Sequence, residues 1–175
     1  MIEGWSLTQR AVGWAVFLQT WEMLSLRRAW SDSGVWSWPV MQQEFHSLLP
    51  KLGSFFDFLL AEKNFRTQMY LQIFLSFLCI IIPSLPVWPM LFVITLLTSL
   101  RFRGVFNGGS DAMTLSVLLA LAFFPKNMAA YSIAIQVGIS YCIAGWVKLK
   151  EPAWIQGRAL KLFLSSERYS VPHSL

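Results

Sequence analysis

The sequence predicts an all-α protein, a polytopic transmembrane helix bundle of about five spans with one interfacial amphipathic helix. Three observations predict it. Of 175 residues, 55% are hydrophobic and only 13% charged, about half the charged share of a soluble domain. Apolar runs recur along the chain and are closed by Pro, Gly or Arg. Nine Trp, fourteen Phe and four Tyr suit a protein whose aromatic rings gather at membrane interfaces. With no internal repeat and no low-complexity tract, residues 1–175 read as a single membrane domain.

The first span is expected at about 8–26, apolar from Ala11 except for Gln19 and Glu22 and closed by Arg27 and Arg28. No small-residue cleavage site follows it, so it reads as a retained signal anchor. Residues 29–39 hold the turn formers Ser31, Asp32, Ser33 and Gly34 among Trp30, Trp36 and Trp38, which predicts a loop lying against the membrane. Residues 45–65 mix Leu and Phe with Lys51, Asp57, Glu62 and Lys63, and Pro50 and Gly53 interrupt them. That pattern predicts an interfacial amphipathic segment and a poor span.

Spans at about 67–82 and 88–100 are joined by Pro83, Pro86 and Pro89, a turn that forces an antiparallel hairpin. Asn107, Gly108 and Gly109 form the next turn, with Ser110 or Asp111 capping the following helix. The fourth span, about 112–124, has 13 residues before Pro125, short of the roughly 20 that cross a hydrocarbon core. The fifth, about 128–147, carries Tyr131, Ser132, Gln136, Ser140 and Tyr141. So many polar groups predict a helix packed on all sides, bonding across to its neighbours. Residues 148–175 read as a cytoplasmic tail containing a short amphipathic piece.

The charges set the topology. Twelve Lys and Arg fall on one side of this arrangement against Arg10 and Lys126 on the other, which puts the N-terminus outside and the C-terminus inside. A net charge of +5 without a dense basic run excludes a nucleic-acid site. Two histidines and no paired cysteine motif leave no conventional metal site, and the glycine-rich stretch at 106–111 lacks the lysine of a phosphate loop. Cys79 and Cys142 both lie in apolar runs, where a thiol acts as a small hydrophobe.

Candidate functional residues follow. Gln19 and Glu22 are three apart, share one helix face and, with Gln136, belong inside a bundle because lipid penalises such groups. Trp30, Trp36, Trp38, Tyr141, Trp146 and Trp154 are candidate lipid or partner contacts. Lys148, where an apolar helix ends before Pro152, is the one candidate catalytic residue: a desolvated lysine can act as a base, and a snorkelling lysine marks an interface instead.

Three stretches together resemble a known family: 9–14 with Trp30–Val35, Asn107–Asp111, and Tyr141, Ala144, Gly145, Lys148, Leu149, Trp154 and Gly157. They are similar to the horizontally transferred transmembrane (HTTM) domain, shared with the membrane part of vitamin K-dependent gamma-carboxylase. The resemblance implies for Lys148 the role of the base that deprotonates a reduced quinone. The chain has one residue more than the carboxylase between Lys148 and Trp154, lacks its histidine-containing segment and its lumenal domain, and is shorter than most of the family. Two functions stay open. One is a non-catalytic accessory or structural subunit of a larger membrane complex, lipid-contacting, in the bacterial cytoplasmic (inner) membrane. The other is a reduced membrane enzyme acting on a quinone or isoprenoid lipid, with Lys148 as base and Glu22 or Asp111 as its partner.

Overall fold

Every regular element is a helix. The computed structural model describes residues 2–48, 50–102 and 109–165. Among them the order is α1 (Ile2–Ser25), α2 (Arg27–Trp30), α3 (Trp38–Leu48), a 3-10 turn (Pro50–Leu52), α4 (Gly53–Leu60), α5 (Glu62–Ile81), α6 (Trp88–Arg101), α7 (Gly109–Phe123), α8 (Lys126–Lys150), α9 (Pro152–Ile155) and α10 (Ala159–Leu164). The all-α class is therefore observed. The chain divides into two compact units, Met1–Ile133 and Ala134–Leu175, where the sequence predicts one domain.

Local chemistry explains the boundaries. Glu62 begins α5 one turn before the apolar run at 67, placing an acid at the positive helix end and opposite Arg66 at 4.0 Å. Pro83 forbids its continuation, so α5 ends at Ile81. Pro89 sits in the first turn of α6, where a missing N–H costs nothing. Pro152 forces Glu151 into extended backbone, ending α8, and Gly157 turns the chain at φ 69°. The segment expected at 45–65 divides at the 3-10 turn and ends at Leu60, because residues 62–65 join α5. There His46 meets Asp57 at 3.0 Å, and Trp38 Nε1 donates to the same carboxylate at 3.0 Å.

In the first unit α1 packs mainly on α5, and α6 on α7. Arg10 Nη1 donates to Ile80 O at 2.5 Å at one end, while Arg27 approaches Glu62 at 3.8 Å at the other. The two helices are therefore antiparallel. Their close approach depends on Gly13, where a Cβ would lie 3.2 Å from both Cys79 Cβ and Ser76 O. Small residues let helix backbones approach in this way. Val16, Met23, Trp30, Phe65, Met69, Cys79, Trp88, Leu91 and Phe102 form the heart of the core.

The loop after α1 is built inward. Trp30 is 0% and Trp38 4% exposed, and Trp36 is half-buried against the core. Trp36 lies partly against the core, and Trp30 and Trp38 pack within the chain around Arg101. Fully buried, it donates through Nη1 to Leu60 O and through Nη2 to Trp30 O at 2.8 Å, carbonyls that end α4 and α2. Helix-terminal carbonyls lack partners of their own and carry partial negative charge. Phe65, Trp30, Trp38 and Phe102 surround the guanidinium, with Phe65 nearest at 4.5 Å from ring centre. Trp30 Nε1 donates to Met23 O at 2.8 Å. Gly34 closes the loop, since a Cβ there would fall 2.3 Å from Ala29 O.

Among the described residues one helix, α8, is long and apolar enough to cross a membrane, and α6 and residues Ser110–Phe123 are shorter apolar helices. Among the described residues of α8 only Ala129 is buried. Tyr131 and Tyr141 are exposed, and Ser132, Gln136 and Ser140 half-exposed. The second unit continues from α8 through α9 and α10.

Candidate functional site: a polar cavity among four helices

The first unit holds a half-open cavity of about 470 Å³ near the ends of α1 and α6 and the start of α7. Four helices build it: α1 supplies Gln19, Thr20, Glu22 and Met23, α5 Met69 and Gln72, α6 Thr95, Thr98, Ser99 and Arg101's neighbour Phe102, and α7 Ser110, Asp111 and Thr114. Its size lies within the range of small-molecule sites, about 300–1,000 Å³. Leu18, Leu26, Met69 and Phe102 give it an apolar wall beside the polar one.

Gln19 and Glu22 both line this cavity from one face of α1. Gln19 is half-buried and its Nε2 donates to Asp111 Oδ1 at 2.8 Å, tying α1 to α7. Glu22 is exposed at the cavity wall, and its carboxylate has no hydrogen bond or ion pair among the described residues. α7 begins at Gly109, so Asp111 lies in its first turn, where a carboxylate favours the dipole. Asn107 and Gly108 lie outside the described residues.

Sequence reading missed Gln72, Thr95 and Thr98. Gln72 and Thr95 are buried and joined by Gln72 Nε2 donating to Thr95 Oγ1 at 2.9 Å. A signal was present: a Gln and a Thr inside the two arms of a predicted hairpin demand each other when no water is available.

In the second unit Lys148 is exposed, with Nζ 4.8 Å from the ring centre of Trp154, and Lys150 Nζ stands 5.0 Å from that of Trp146. Trp146, Trp154 and Tyr141 are all exposed, and Gln136 is half-exposed. An ammonium resting on an indole face gains cation–π attraction. Among the described residues no group of three His, Cys, Asp or Glu could hold a metal. No family model, curated protein or solved structure matches the chain.

Proposed function

We propose that the chain is a small polytopic membrane protein serving as a non-catalytic accessory subunit, with α1, α5, α6, α7 and α8 as its spans and the N-terminus outside. The membrane part of this reading rests on an inverted distribution of polarity. Trp14, Trp21, Phe74, Phe77, Met90 and Val93 face outward, while Thr20, Gln72, Ser76, Thr95 and Arg101 are buried. Water would favour the reverse. Arg27, Arg66 and Arg101 gather at one end of the first unit and Arg10 at the other, in keeping with the positive-inside rule. The 14 residues of α6 span about 21 Å, and short spans relieve mismatch by associating with other helices.

The observation that carries the subunit role is α8. Ser132, Gln136 and Ser140 recur every four residues along one face of an apolar helix that buries only Ala129. In a bilayer such a stripe seeks hydrogen-bonding partners on another helix. The resemblance to the HTTM domain enters here as a proposal of common ancestry, and the exposed Lys148 favours the subunit over the enzyme. A photocrosslinking residue at position 136 should capture one defined protein species in native membranes, and the same residue at Ala134 or Gly138, on the opposite face, should capture lipid. Lipid at all three positions, with a monomeric protein, would end the subunit reading.

A further inference from the structure

We propose that the cavity of the first unit binds an alkylammonium amphiphile, its charged amine against Glu22 and its chain along the apolar wall. The argument concerns donors and acceptors, and it neither needs nor tests the subunit role. Thr20, Thr98 and Thr114 each donate their hydroxyl hydrogen to the carbonyl four residues back, Val16 O at 2.7 Å, Ile94 O at 2.9 Å and Ser110 O at 2.9 Å. Gln19 and Gln72 direct their amide nitrogens to Asp111 and Thr95. These side chains keep oxygen lone pairs, while the second amide hydrogen of each Gln and the hydroxyls of Thr95, Ser99 and Ser110 can still donate; the unbalanced group is Glu22, a carboxylate with no partner among the described residues.

An unpartnered carboxylate beside an apolar wall calls for a cation that carries an apolar chain. An ammonium brings three N–H donors and a positive charge to Glu22, whereas a quinone carbonyl can only accept and gains nothing from a carboxylate. Among the described residues no basic side chain lines the cavity, and Arg101 is directed to its carbonyls and Arg27 and Arg66 towards Glu62. A single hard cation takes six to eight oxygens within about 2.6 Å and would leave most of 470 Å³ unfilled. Leu18, Leu26 and Phe102 on the same cavity favour a ligand with an alkyl chain.

The test uses the full chain in a non-ionic detergent, with dodecylamine as probe and dodecanol and a decyl-tailed benzoquinone as comparators. Dodecylamine should raise the unfolding temperature saturably and the other two should not. Glu22→Gln should weaken amine binding about tenfold or more, the loss expected when a charged hydrogen-bond partner is removed. Glu151→Gln, a carboxylate of the second unit, should bind as wild type. Thr98→Val removes one acceptor at nearly constant volume and should weaken binding about threefold, a smaller loss suited to a neutral partner. Equal response to dodecanol, a stronger response to the quinone, or undiminished amine binding in folded Glu22→Gln would overturn the proposal. So would displacement by the amine of a bound protein through its lysine, which would make the occupant a partner and not an amphiphile.

Discussion

Replacing Arg101 by methionine tests the reading of the buried cation as a clasp on two helix ends. Methionine fills much of the same apolar volume but cannot donate, so Leu60 O and Trp30 O, both in fully buried residues, lose their partners. Each orphaned carbonyl costs about 1–3 kcal/mol, and the lost attraction to Phe65 and its neighbouring rings adds about 0.5–2 kcal/mol. Against this, the protein no longer dehydrates a charge, a penalty of several kcal/mol that makes apolar replacement of buried ions nearly neutral in some proteins. The two cases differ in what stays behind. When both members of a polar contact are replaced the cost vanishes, whereas here the backbone carbonyls cannot be replaced.

The expected net loss is about 3 kcal/mol, a shift of over a hundredfold in the folded-to-unfolded ratio. Arg101→Lys keeps the charge and loses the fork that reaches two carbonyls at once, so it should fall between the two. Unfolding in mixed micelles, followed by tryptophan fluorescence, reads both, because Trp30 and Trp38 lie against the guanidinium. A methionine variant within about 1 kcal/mol of wild type, the size of one ordinary hydrogen bond, would show that the rings alone hold this region together.

Other outcomes follow from the same geometry. Gly34→Ala should destabilise by about 1–3 kcal/mol, measured in the same micelles, since its Cβ meets backbone at Ala29 that cannot rotate away. Gly13→Leu should loosen α1 from α5 and open the buried Cys79 to a maleimide added to folded protein. Lys148→Arg should preserve assembly and cellular phenotype, because an exposed cation over Trp154 can be supplied by either side chain; a folded but inactive variant would restore the base reading, since arginine cannot lose its proton. With Cys142 replaced by serine, single cysteines near Lys126 and near Arg158 should label from opposite sides of intact cells, and equal labelling would refute the topology.

The helices were legible because their signals are local. Apolar runs ended by Pro83, Pro125 and Pro152 mark boundaries that backbone sterics impose whatever the surroundings. Inward-facing polarity was legible at Gln19, whose partner Asp111 lies 92 residues away, only as a demand for some partner. Its identity depends on how α1 and α7 meet, which no spacing within either helix encodes. The surroundings of the tryptophans were not legible, for a related reason. Trp30 and Trp38 have the composition of an interfacial belt, and composition cannot distinguish a ring that faces headgroups from one that faces Arg101. Arg101 itself closes an apolar run just as a topology-setting residue does, and its second role is visible only once the ends of α2 and α4 converge on it.

This double reading has a consequence for how the first unit is held at its basic end. A flanking arginine that merely set topology would stay hydrated and mobile, and the short helices α2 and α4 would have to cap themselves. Four-residue helices are unstable alone because nucleation is costly, so α2 needs an external partner for its last carbonyl. Arg101 supplies one, and in doing so fixes the end of α6 beside the loop that carries Trp30 and Trp36. Phe102, the next residue, lines the cavity and is packed against Phe65 at 5.6 Å. The clasp and the cavity are thereby joined through adjacent residues of one chain segment. Loosening Arg101 should therefore disturb amine binding at the cavity as well as stability, whereas Glu22→Gln should disturb binding alone.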